Sequence, residues 1–178
     1  YRVSEFLHVS TDEVYGSLDE GFAREDSAFN PASAYSASKA SAEHFVNAAR
    51  HTFKLNTKIV RCSNNYGPRQ YPEKLIPFFV SRLIDGKNVP IYGSGENIRE
   101  WLHVSDCASA INSVLESKKT NEIYNISSGQ FYSNLEVAKM ILDYFGFGDE
   151  KIDFIEDRKG HDFRYAINHQ KITENLGW

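Results

Sequence analysis

The run Phe6-Leu7-His8-Val9 is mostly apolar and turns at once into Ser10-Thr11-Asp12-Glu13. A buried strand reads this way when it delivers polar groups at its carboxyl end. After a polar loop closed by Asn30-Pro31, residues 33–51 are rich in Ala and Ser, with Ala37, Ala40, Phe45 and Ala48 near helical spacing. The small residues predict a helix pressed closely onto a neighbour. Thr57–Cys62 is alternating and β-branched and reads as the next strand.

The same alternation continues. Glu73 to Asp85 predicts a helix stopped by Gly86, with a kink at Pro77, and Val89–Tyr92 predicts a strand followed by the turn Gly93-Ser94-Gly95. Trp101 to Val104 reads as a strand or turn, Asp106 to Leu115 as a helix and Glu122 to Ile126 as a strand. Ser133-Asn134-Leu135-Glu136 is a capping box that opens a helix through Phe145, ended by Gly146. Lys151 to Ile155 predicts a strand, and Ile172 begins a final helix. Strands alternating with helices imply an α/β domain around a parallel sheet.

Composition excludes several classes. The net charge is -4 and the longest basic cluster is Lys118-Lys119, which argues against a nucleic-acid surface. No apolar run reaches membrane-spanning length and no signal peptide is visible, so a cytoplasmic location is expected and the sequon Asn125-Ile126-Ser127 carries no weight. Cys62 and Cys107 are far apart, without ligand spacing, and read as buried free thiols of a reducing compartment. His8, His44, His51, His103 and His169 form no metal-ligand pattern, so no metal is expected. Gly93-x-Gly95 resembles the start of a dinucleotide fingerprint, but position 98 is Ile and no strand-turn-helix context precedes it; it reads as a substrate-side turn.

Two pairs carry chemistry. Tyr35 and Lys39 stand four apart on the first predicted helix and share a face. A phenol near pKa 10 is a poor base, and a neighbouring cation favours its ionised form. Alone, the pair also fits an exposed lysine beside a packed tyrosine. Asp12 and Glu13 sit at a strand's carboxyl end, where ligands of open α/β sheets bind. Adjacent carboxylates repel, which tends to keep one protonated, and an acid beside a base is what β-elimination requires. The plainer alternative is that they cap a loop or helix start.

Six segments occur in order: His8-Val9-Ser10-Thr11-Asp12-Glu13-Val14-Tyr15-Gly16, Tyr35-Ser36-Ala37-Ser38-Lys39-Ala40, Arg61-Cys62-Ser63-Asn64-Asn65-Tyr66-Gly67-Pro68, Tyr71 to Pro77, Ile98-Arg99-Glu100-Trp101-Leu102 and Asp157 to Tyr165. Together they resemble the dTDP-glucose 4,6-dehydratases of the extended short-chain dehydrogenase/reductase superfamily, over essentially the whole chain. The resemblance implies the C-terminal part of an NAD-binding Rossmann-type parallel sheet plus a smaller sugar-nucleotide-binding lobe. Residues 1–67 and 102–127 would form the first, and 68–101 and 128–178 the second.

It also implies roles. Tyr35 would take the proton of the sugar 4-hydroxyl as hydride leaves for NAD, Lys39 would lower the phenol's pKa and hold the nicotinamide ribose, and Thr11 would steady the 4-oxygen. Glu13 would remove the C5 proton and Asp12 protonate the departing 6-hydroxyl. Asn65 would lie near the nicotinamide, and Asn64, Lys74 and Leu75 would contact substrate. Pro90 and Tyr92 would lie by the nucleotide base. Arg99 and Arg158 would neutralise the diphosphate, a task suited to the guanidinium fork. Asn134, at a helix start whose free N–H groups favour an anion, and His161 complete the substrate set. The parent is expected to be a homodimer whose product feeds deoxysugar synthesis, rhamnose being the usual destination.

The chain departs from that family in lacking the Gly-rich βα turn for the NAD pyrophosphate, the acidic residue for the adenosine ribose and the segment after Trp178. It also has Phe163 where a basic residue is common and Asn168 where Asp is common. The rivals are a dehydratase of UDP-glucose or another nucleotide hexose, a decarboxylase or epimerase with the same Tyr/Lys pair, and a catalytically silent sugar-nucleotide-binding fragment. Decarboxylases and epimerases need no carboxylate pair to expel a 6-hydroxyl, so Asp12-Glu13 speaks against them.

Overall fold

The computed structural model describes residues 3–178, and the architecture is α/β. Along the chain run β1 (Phe6–Thr11), α1 (Ala34–Phe53), β2 (Thr57–Cys62), β3 (Asn64–Tyr66), α2 (Leu75–Ile84) and β4 (Val89–Tyr92). Then follow β5 (Ile98–His103), α3 (Val104–Glu116), β6 (Glu122–Ile126), β7 (Phe131–Ser133), α4 (Asn134–Phe145), β8 (Ile152–Ile155) and α5 (Gln170–Leu176).

The main sheet is parallel, in the order β1-β2-β6, with Thr11 opposite Cys62 and Cys62 opposite Ile126. All six residues of β2 are buried, as a central strand requires. Successive side chains of a strand point to opposite faces. Val60 and Cys62 pack with Cys107, Ala110 and Val114 of α3, whereas Arg61 pairs with Glu43 of α1, so the two helices cover opposite faces. A second core joins Phe79 and Leu83 of α2, Val89 and Ile91 of β4, and Ala138 and Leu142 of α4, beside the parallel pair β4-β8. Between these lies a small sheet in which β5 pairs parallel with β3 and antiparallel with β7.

Caps explain the helix boundaries. Ser33 and Ser36 exchange side chain and backbone bonds at 3.0 Å each, a capping box that fixes the start of α1. Ser133 and Glu136 do the same for α4, which ends on Gly146 at φ 73°. α2 runs unbroken past Pro77 to Ile84. Pro77 is the third residue of that helix, where the backbone N–H it lacks would have had no intrahelical partner. β5 begins three residues before the predicted Trp101, because Arg99 and Glu100 are buried by partners distant in sequence. The three-residue strands β3 and β7 were not predicted; neither is long enough to show a period.

Asn125 of the sequon is fully buried, donating to the carbonyls of Ala23 and Asn168 and accepting from the Tyr15 hydroxyl at 2.8 Å. Among the described residues no helix is long and apolar enough to cross a membrane.

Candidate active site

Thr11 ends β1 in an extended conformation and becomes the N-cap of a single 3-10 turn, Asp12–Tyr15, its hydroxyl accepting from the Glu13 N–H at 3.3 Å. The turn closes at Gly16 (φ 74°), where a Cβ would collide with the Asn30 carbonyl. Asp12 and Glu13 thus share the first turn, but its cap is Thr11 rather than either carboxyl, unlike the plainer alternative. They are nevertheless inequivalent. Asp12 points inward, 3% exposed, and burial, reinforced by the charge of Glu13, lifts its carboxyl to about 7. Burial raises Glu13 as well, with the Arg99 charge pulling the other way.

The capping box of α1 places Tyr35 in the first helical turn, half exposed, facing this turn. Its phenol is pushed up, by burial first and by Glu13 second, with the Thr11 hydroxyl acting in the opposite direction. Lys39 is not among the groups that shift this phenol most. Its ammonium donates to the Val9 carbonyl at 2.6 Å and is parked on the strand backbone.

A cleft of about 660 Å³ opens beside this cluster. Glu13 and Tyr35 line it, as do Asn64, Lys74, Leu75, Pro90, Tyr92, Arg99, Asn134, Arg158 and His161. Every substrate residue expected from the sequence except Thr11 is therefore in one wall or another. Thr11 and Asp12, both buried, are not part of that lining, nor is Lys39, nor Asn65, whose amide donates to the Ser63 carbonyl at 2.9 Å. A second cavity of about 390 Å³, between Phe22, Phe131 and His169, is mainly apolar and separate from these groups.

Two expectations about anion binding change. The first-turn N–H groups of α4 are not free: Asn134 donates to Asn97, Leu135 to Gly95 and Glu136 to the Ser133 hydroxyl, at 3.0–3.1 Å. Only the side chain of Asn134 remains to meet a ligand. Arg99 is similarly engaged, donating to the carbonyls of Ile98 (2.8 Å), Asp162 (2.8 Å) and Phe163 (3.1 Å) and lying 4.5 Å from the Tyr165 ring centre. Its fork holds the 157–165 loop against the cleft, leaving its remaining N–H groups for a ligand.

Arg158 lies 5.0 Å from the Tyr92 ring centre and donates to His161 Nε2 at 2.9 Å, while His161 Nδ1 faces Asp157 at 2.7 Å. That network assigns the imidazole proton to Nδ1. Burial, followed by the Arg158 charge, keeps His161 below the ordinary imidazole range, although Asp157 opposes this.

Tyr165 and Asp162 also line the cleft and were missed as site residues; the Tyr165 hydroxyl donates to Asp162 at 2.5 Å, and burial drives its phenol far up. They fall within the last of the six segments, but only the folded loop turns them inward. Phe163 contributes its backbone to Arg99, and its half-exposed side chain is not in the cleft wall.

Several buried polar atoms near the carboxyl ends of β1 and β2 have no partner: Ser10 Oγ, Asp12 Oδ2, Ser63 Oγ and Asn65 Oδ1. Such atoms are rare in finished interiors, and a row of them at a sheet's carboxyl edge suits a polar ligand.

The family model for GDP-mannose 4,6 dehydratase matches residues 2–178. The chain belongs to that family. A dTDP-glucose 4,6-dehydratase of Actinoplanes sp. is 47% identical over 178 residues, 100% of this chain and 56% of its own length. The dTDP-glucose 4,6-dehydratase DesIV of Streptomyces venezuelae, solved with NAD bound, superposes with a TM-score of 0.97 at 45% identity, over 99% of this chain and 55% of that one. A UDP-glucuronic acid 4-epimerase of Bacillus cereus, solved with UDP-glucuronic acid and NAD, superposes with a TM-score of 0.94 at 27% identity, over 100% of this chain and 57% of that one. The chain spans about half the length of the relatives it matches. Within this dehydratase family the fold alone does not separate elimination from epimerisation, since an epimerase shares it. The acid–base groups must do so.

Proposed function

We propose that the parent of this chain is an NAD-dependent 4,6-dehydratase of a nucleotide hexose, dTDP-glucose before UDP-glucose, yielding the 4-keto-6-deoxy sugar nucleotide. The observation that carries this reading is the inequivalent pair Asp12 and Glu13: a buried carboxyl poised at about 7 next to a carboxylate that lines the cleft with Tyr35. An elimination needs both an acid and a base beside the oxidising tyrosine, whereas a 4-epimerisation by hydride return needs neither. The likeness to the dTDP-glucose enzymes supports the substrate.

The residues present fit the nicotinamide end of NAD: Tyr35 is half exposed, Lys39 is anchored on the Val9 carbonyl, and Ser10, Ser63 and Asn65 carry buried polar atoms without partners. Bound there, NAD would accept hydride from C4 and return it to C6. Tyr35 takes the 4-hydroxyl proton, and Thr11 holds the 4-oxygen. The ketone acidifies C5, and Glu13, on the cleft wall, removes that proton. Asp12 delivers its own to the leaving 6-hydroxyl, which departs as water; a carboxyl near 7 is matched to giving up a proton at neutral pH. Arg158 and the free donors of Arg99 neutralise the diphosphate, Tyr92 and Pro90 flank the base, and Asn64, Lys74, Leu75, Asn134 and His161 complete the walls. In this reading residues 1–67 and 102–127 serve the cofactor and 68–101 and 128–178 the sugar nucleotide. The parent is a homodimer joined through the outer face of α1, where Phe45 and Phe53 are exposed.

The test is the full-length parent incubated with NAD+ and dTDP-glucose or UDP-glucose, with products weighed by mass spectrometry. Loss of one water from the hexose is expected. Recovery of every nucleotide hexose unchanged, or as its 4-epimer, overturns the proposal.

A further inference from the structure

The proposed reaction makes no use of Cys62 and Cys107. Cys62 is the last residue of β2, in register with Thr11, and Cys107 lies near the start of α3. They are 45 positions apart, yet packing of α3 on β2 brings the two sulfurs to 3.6 Å. Both are free, buried thiols, 7% and 6% exposed. Among the described residues no third ligand gathers with them, which argues against a metal.

We propose that Cys62 and Cys107 are a modification site that closes reversibly to a disulfide under hydrogen peroxide. A disulfide needs the sulfurs at about 2.05 Å, a closure of about 1.5 Å. Each cysteine sits near the end of its element, where side-chain rotation and a small shift of the α3 start supply that movement. Cys107 lies near the start of α3, where the helix N-terminus favours a thiolate, and is the attacking group.

Its sulfur forms a bond to one peroxide oxygen as the O–O bond breaks, and the other oxygen leaves as hydroxide and is protonated to water. The Cys62 sulfur then attacks Cys107; the S–S bond forms, the S–O bond breaks, and a second water leaves with the Cys62 proton. Two thiols lose two electrons and one peroxide gains them. A dithiol reductant reverses the step by exchange.

Closure displaces the strand end beside Thr11 and the Asn65 segment. Misplacing a reacting group by about 1 Å can cost roughly a hundredfold in rate, so oxidation of the parent should suppress turnover. That consequence rests on the proposed function, whereas the disulfide itself does not.

The chain is treated with hydrogen peroxide, quenched, alkylated with a maleimide and weighed intact, then mapped without reduction. A mass loss of about 2 Da, no maleimide uptake and a Cys62–Cys107 linked peptide that dithiothreitol opens are expected. Cys62→Ser and Cys107→Ser should each abolish the linked product, and the wild-type chain in urea should form it more slowly than the folded one. Oxygen adducts or intermolecular dimers in place of the internal link, or faster linkage in urea, overturn the proposal. In the parent, reversible loss of turnover with the link formed supports the coupling. Full turnover with the link formed removes the coupling and leaves the site. Inactivity of the reduced parent counts against the proposed function instead.

Discussion

At the scale of residues, Asp12 shows how position turns one carboxyl into a different reagent from its neighbour. Its ordinary value is 3.8 and its value in the fold about 7, with burial the main cause. A carboxyl raised in this way stabilises the fold while protonated. The contribution is complete below the unfolded value and lost as pH rises through the folded one. Asp12→Asn removes the ionisation, so the variant should unfold at a higher urea midpoint than wild type at about pH 8 and converge with it near pH 4. An identical gap at both pH values would show that the buried charge is not the source. In the parent the kinetic signature should split. Tyr35→Phe should block hydride removal, whereas Asp12→Asn or Glu13→Gln should still oxidise C4 and accumulate reduced cofactor, with overall turnover down roughly 10²–10⁴-fold. Single-turnover absorbance separates these outcomes, and equal loss of both steps would refute the division of roles. The adjacency of Asp12 and Glu13 made their repulsion legible in the sequence. That burial outweighs repulsion, that Lys39 rests on Val9 and that Arg99 spends donors on Asp162 and Phe163 were not legible. Each depends on what another segment brings within a few ångströms.

At the scale of elements, β2 ties the chemistry to the scaffold. Arg61 donates to Glu43 of α1 at 2.7 Å, with both side chains nearly inaccessible, and reaches the Tyr15 hydroxyl and the Glu25 carbonyl as well. This network binds α1, with Tyr35, to the strand beside Thr11. A buried pair is costly to break from one side because the surviving charge loses its partner. Arg61→Met should therefore destabilise the chain by roughly 3–5 kcal/mol in urea titrations, while Arg61→Met with Glu43→Leu should recover much of it. A double variant no more stable than the single would place the stabilisation in Arg61's other bonds or in its packing between Tyr15 and Phe29. Thr57–Cys62 was legible as a strand from its β-branched residues, and α4 from Ser133 and Glu136. The purpose of a buried arginine in the strand was not, since Glu43 stands 18 positions away. β3 and β7 escaped for a different reason: what makes them strands is their shared neighbour β5.

At the scale of the whole molecule, alternation along the sequence predicted a parallel sheet with helices on it. It could not reveal that β4 pairs with β8 across some sixty residues, nor that the cleft closes between that pair and the end of β1. The strand order leaves β1 at one edge of the main sheet among the described residues, with Phe6 and Val9 partly exposed. A flat, parallel edge strand carries a row of unpaired backbone groups, and parallel sheets are normally covered on both faces and extended by further strands. The relatives are nearly twice as long as this chain. If the parent's additional residues extend the sheet beside β1, the β1 amides that are free here become bonded. In hydrogen exchange those amides should slow by about tenfold or more in the parent relative to the isolated chain, equivalent to roughly 1.4 kcal/mol or more of added local stability. β2 amides, already paired on both sides, provide the internal comparison and should change less. Equal exchange of β1 in both proteins would mean that its outer edge stays open in the parent.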